Sequence, residues 1–87
     1  MSKVVNQIGD VSRDQIQEQF RNLRDAVEEG ESNALRLFDG SNDDLTRGYL
    51  EGDAYEIEQQ AGKLAQNLRH LAFQAADDLV GGEDAAD

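Results

Sequence analysis

Eighty-seven residues allow one domain, and the absence of cysteine and proline excludes disulfides, thiolate chemistry and proline-broken helices. A net charge of −11, from 19 acids and 8 bases, argues against binding nucleic-acid phosphates or an anionic membrane face. No apolar run approaches the roughly 18 residues of a membrane span, and Met1 to Asp10 lacks the apolar core of a secretory signal peptide.

Residues 1–11 show no clear hydrophobic period and read as a flexible N-terminus. Ser12-Arg13-Asp14-Gln15 then reads as a capping box, and Val11 with Ile16 fits the hydrophobic staple that goes with it. From there Ile16, Phe20, Leu23, Val27, Gly30, Ala34 and Leu37 recur at spacings of 4, 3, 4, 3, 4, 3, a heptad seam on one helix. Gly30 lies on the seam. It costs the helix about 1 kcal/mol against alanine and permits a close approach, so the helix is expected to run through it.

Phe38-Asp39-Gly40-Ser41 stops that helix and starts the next. Gly40 can take a positive φ and end the first helix, and Ser41 can cap the second through the amide of Asp44. Two helices joined by so tight a turn fold back as an antiparallel hairpin, with Phe38 expected where they meet. The second helix is expected from about Asn42, irregular around Gly48 to Gly52, with Asp53 and Glu56 as a second capping pair. Its seam reads Leu50, Ala54, Ile57, Ala61, Leu64, Leu68, Leu71 and Ala75. Gly81-Gly82 should end it, leaving residues 81–87 as a disordered acidic tail.

The reading is therefore all-α: a two-helix antiparallel hairpin over residues 12–80, its turn at 38–41. A hairpin of this length cannot surround a core, so an apolar strip stays open. Ile16, Phe20, Leu23, Val27, Leu64, Leu68 and Leu71 form the expected partner interface. The occupant is a second copy, giving a four-helix bundle, or another helical protein.

Few residues suggest chemistry. His70 is the only histidine, lies off the seam and has no second histidine or cysteine to complete a transition-metal site. The run from Asp39 to Asp44 fails the calcium-loop pattern, with Asp44 where glycine is needed and Leu50 where glutamate is needed. No catalytic constellation is visible, and neither a cofactor nor enzyme activity is expected. The acids cluster between Phe38 and Glu58 and again from Asp77 to Asp87. Such clusters solubilise a surface, face a basic partner or suit a salt-adapted host.

Phe73 stands apart. With Leu71 and Ala75 on the seam it takes the outermost heptad position, and Asp77 and Val80 continue its strip. Either an oligomer partner covers it, or it is presented as a recognition element with the acid one turn on.

With these pieces together, the chain resembles the WXG superfamily of small helical-hairpin proteins of bacterial type VII secretion. Phe38-Asp39-Gly40 stands where the family has its Trp-x-Gly turn. Phe73-Gln74-Ala75-Ala76-Asp77 stands where the family has an aromatic-x-x-x-acid export motif, with phenylalanine for the usual tyrosine. That Phe-x-x-x-Asp variant is most similar to the targeting factors encoded beside LXG toxins. The resemblance spans about residues 12 to 80. It implies a helical partner such as the toxin's N-terminal domain or a related small protein, a secretion ATPase or channel that reads Phe73 and Asp77, and a cytoplasmic stay before leaderless export. Two readings compete with it: a cytosolic dimerisation hairpin with no export role, and an acidic decoy that occupies a basic protein.

Overall fold

A computed structural model describes the backbone of residues 4–86 and the side chains of residues 4–77. It is an all-α antiparallel hairpin, 64 × 21 × 15 Å, of helices α1 (Arg13–Phe38) and α2 (Asp44–Ala86). A short antiparallel pair, β1 (Gln7–Ile8) and β2 (Val11–Ser12), precedes them.

Within the N-terminal segment expected to be loose, the stretch from Gln7 to Ser12 is thus structured. Gly9 takes φ 58° and Asp10 a negative φ, the pattern of a two-residue type II′ hairpin turn. The pair docks on α2. Gly9 presses against Gln74, where a Cβ would collide with the glutamine side chain. The imidazole Nε2 of His70 lies 2.6 Å from Asp10 Oδ1. Val11 is buried, and it lines one groove with Ile16, its expected staple partner.

Helix α1 starts as its capping box requires: Ser12 Oγ accepts from the Gln15 amide at 3.1 Å. It runs through Gly30 to Phe38. Its end is a Schellman motif, in which Gly40 takes φ 110° and the Ser41 amide donates to the Arg36 carbonyl at 2.8 Å. The start of α2 differs from expectation. Asp43, not Ser41, is the cap, its Oδ1 accepting from the Thr46 amide at 2.8 Å. The Schellman bond commits Ser41 to closing α1, so the chain needs two more residues before a new helix opens. Neither Gly48 nor Gly52 breaks α2, and the helix continues through Gly81-Gly82 to Ala86. A helical glycine costs about 1 kcal/mol but keeps its backbone bond, so without proline the helix persists. Val80 and Asp87, placed by sequence on the outer strip and in the tail, lie outside the described side chains.

The helices cross closely at Gly30, where a Cβ would sit 3.3 Å from Ile57 Cδ1 and 3.6 Å from Asp53 Cβ. Around that point the seam is rotated from the expected one. Ile16, Leu23, Gly30 and Leu37 face α2 as read, but their companions are Gln19, Ala26 and Asn33. On α2 the inward positions are Thr46, Leu50, Asp53, Ile57, Gln60, Leu64, Asn67 and Leu71. Phe20, Val27 and Leu68, expected inside, are 37%, 47% and 39% exposed, and Ala54 is exposed. Leu64 is the one buried apolar side chain described on either helix.

Gly30 and Gly62 should therefore respond oppositely to substitution. Gly30→Leu must push the helices apart and should lower stability by about 1–3 kcal/mol. A Cβ at Gly62 meets nothing within 4 Å, so Gly62→Ala should raise stability by about 0.5–1 kcal/mol through helix propensity alone. Thermal unfolding followed by circular dichroism reads both, and equal responses would remove the close crossing as the cause.

Candidate functional site

Phe73 and Asp77 lie outward on the single hairpin, at the positions the heptad count gives them. Phe73 is 69% exposed and Asp77 is exposed on the same side of α2. With 43 residues in α2 and 26 in α1, α2 overhangs its partner by about 25 Å at 1.5 Å per residue. Phe73 and Asp77 lie at the root of that overhang, beside the Asp10–His70 contact. The β-turn therefore steadies the helix one turn before Phe73, a feature not read from sequence. Its signal was there: Gly-Asp between Ile8 and Val11 is a hairpin dipeptide.

The turn motif separates. Gly40 performs the expected stop, but Phe38 is 86% exposed and does not lie between the helices. Leu37 takes the inward position, and the next residue is turned about 100° away.

The seam residues come together only in part. Ile16 and Leu71 meet at the base, where with Val5 and Ile8 they line an open, mainly apolar groove of about 360 Å³. Leu23, half-buried, and Leu64, buried, take inward positions midway, while Phe20, Val27 and Leu68 form an exposed stripe on one face.

The opposite face is polar and was missed. Asn33, buried in α1, donates through Nδ2 to Asp53 Oδ2 at 2.8 Å, and Asp53 is buried as well. Arg36 Nη1 reaches Asn33 Oδ1 at 3.4 Å. Asp53 is thus an interior acceptor, not a helix cap. Glu29 and Glu56 crowd the same carboxylate. The hydrogen bond that Glu29 shares with Asp53, then the charge of Asp53 and, less, that of Glu56, raises the Glu29 carboxyl above its ordinary value. At the tip, the Thr46 amide and then its hydroxyl hold Asp43 below its ordinary value. Asp43 is committed to this cap, and Asp44 pairs with Arg47.

Among the described residues no group of acids, histidines or cysteines is arranged to hold a metal ion, and no helix is long and apolar enough to cross a membrane. No known family, curated protein or solved structure matches the chain.

Two outcomes follow from the polar face. Asn33→Ala strands a buried carboxylate and should lower stability by about 1–3 kcal/mol in thermal or urea unfolding. A loss near zero would show that water replaces the asparagine. For pH, the raised Glu29 carboxyl favours the folded state when protonated. That stabilisation is present below the unfolded value near 4.5 and is lost as pH rises through the folded value. Asp43 has the opposite sign: its contribution is present above the unfolded value near 3.8 and is lost as pH falls through the lowered one. Glu29→Gln should flatten the fall in Tm as pH rises from about 4.5 to 7. A variant with the parent's pH profile would exonerate Glu29.

Proposed function

We propose that the chain is a small helical protein of type VII secretion, acting as a targeting factor for an LXG-type toxin or as a co-secreted substrate. The observation that carries this reading is the outward, exposed pair Phe73 and Asp77, one turn apart on α2. An export signal on a folded hairpin has to be read from outside the fold. An exposed aromatic can enter an apolar groove of the secretion ATPase or channel while the acid one turn on meets a basic residue. Glycine ending α1 at residue 40 and the hairpin architecture agree with the resemblance drawn from the sequence. The role is one of binding rather than catalysis: the protein waits in the cytoplasm, engages a helical partner and leaves by a leaderless route.

The half-exposed stripe of Phe20, Val27 and Leu68 favours a second reading, a cytosolic hairpin that assembles through this face and has no export role. The two readings diverge at Phe73. A surface substitution there should change stability by no more than about 0.5 kcal/mol. Under the export reading, Phe73→Ala and Asp77→Asn each stop delivery of the protein, or of the toxin it accompanies, at normal cellular levels. Gln66→Ala, an exposed change elsewhere on α2, leaves delivery intact. Normal secretion of both variants would remove the export role, and loss of folding or assembly in Phe73→Ala would favour the structural reading.

A further inference from the structure

A hairpin of two very short strands is a marginal unit in water, and such a pair normally gains a third strand or a packed face. Here one edge is committed and the other is not. β2 runs straight into α1, because Ser12 is the helix cap. β1 has no strand on its outer edge among the described residues.

The ladder fixes which backbone groups that edge offers. Ile8 pairs with Val11 across the turn, and the Arg13 amide donates to the Asn6 carbonyl at 2.9 Å. Antiparallel pairing alternates, so Ile8 and Asn6 bond inward while Gln7 and Val5 turn their N–H and C=O outward. Val5 takes no backbone bond among the described residues. Val4 and Val5 are 78% and 44% exposed, and Gln7 is exposed as well. A free edge with β-branched side chains is a template for another extended chain.

The ground beside this edge suits the side chains of such a chain. The basal groove adjoins β1 and is mainly apolar, with Val5, Ile8, Ile16 and Leu71 in its lining. Arg13 is the one charged residue among the described ones that line it. Neither residues 1–9 nor residues 59–76 contain an acid, although the chain holds 19. Of the acids near the groove, Asp10 lies against His70 and Asp14 is on the first turn of α1. The base is therefore the end of this acidic molecule where a negative segment meets least repulsion.

We propose that β1 and the basal groove take up an extended segment of another protein by strand addition. The added strand bonds the free N–H and C=O groups of Val5 and Gln7. Its alternate apolar side chains enter the groove, and an acid on it meets Arg13. Leu71 and Phe73 are two residues apart, about 200° round α2, so the groove can be filled whether or not anything reads Phe73.

The probe is a short blocked peptide of alternating valine and threonine that ends in glutamate. It is titrated into the isotope-labelled full chain and followed by amide NMR. Saturable shifts from Val4 to Ile8 and slowed exchange of the Val5 and Gln7 amides are expected. Val5→Pro removes an outward donor that the hairpin does not use. Helicity should therefore stay at the parent's level while peptide binding weakens about tenfold, the effect of one lost hydrogen bond. Arg13→Ala should weaken the glutamate peptide and leave a glutamine-ended peptide unaffected. Absence of saturable shifts overturns the proposal, and so does binding that ignores both substitutions. Protection of Val5 and Gln7 that comes on concentrating the chain alone would give the edge to a second copy. Displacement of the extended peptide by a helical one would give the groove to a helix. Either result also overturns strand addition by another protein.

Discussion

The hairpin depends on one crossing. At Gly30 the absent side chain lets the backbone of α1 approach Asp53 and Ile57. One turn on, Asn33 closes a buried hydrogen bond to Asp53. An interior polar pair contributes little net stability, because desolvation offsets much of its attraction. Its effect is on register: any slip or rotation of α2 leaves a buried carboxylate without its donor. The crossing and the bond thus fix the same rotational setting, and that setting decides which side chains turn outward.

The cost of the setting is an apolar surface left uncovered. Heptad positions 16, 23, 30 and 37 face inward under either choice of companion stripe. The apolar companions would bury Phe20, Val27 and Leu68; the structure turns Gln19, Asn33, Asp53, Gln60 and Asn67 inward in their place and buries Asn33 and Asp53. Even then Gln19 keeps an unpartnered side-chain oxygen, a defect worth about 1–3 kcal/mol when fully desolvated. Crowding among Glu29, Asp53 and Glu56 adds repulsion on the polar side. A single hairpin so arranged gains little from its own interface, and the free energy still available lies in the stripe.

Much of this was legible in the chain. The Ser12 cap, passage through Gly30, the glycine stop at residue 40 and the antiparallel return all follow from local chemistry, which the tertiary structure does not override. What misled were choices between near-equal neighbours. Ser41 and Asp43 are both good caps, and only the hydrogen bond from Ser41 to Arg36 decides between them. Leu37 and Phe38 differ by one residue and hence by a third of a turn. The rotated seam was harder still, because heptad counting scores apolar residues and therefore selects the stripe that contains Phe20, Val27 and Leu68. Asparagine and aspartate twenty residues apart carry no local sign of pairing. Gly9-Asp10 is a hairpin dipeptide, but strands of two residues are too short to show a period.

The geometry also separates two demands that a chain this small must meet together. Phe73 and Leu68 are five residues apart, roughly 140° around α2, so a partner on the stripe leaves Phe73 uncovered. The tip and the base are likewise distinct: Phe38 lies at one end of the molecule, and Phe73 near the opposite end beside the β-turn. Asp10 and His70 join that turn to α2 one turn ahead of Phe73, where the helix leaves the support of α1. Without this contact, Phe73 and Asp77 would sit on a fraying single helix, and isolated helices of a few turns are marginal in water. The N-terminal turn therefore does for the C-terminal strip what the Gly30 crossing does for the hairpin. It fixes one orientation of a surface whose side chains contribute nothing to the fold that presents them.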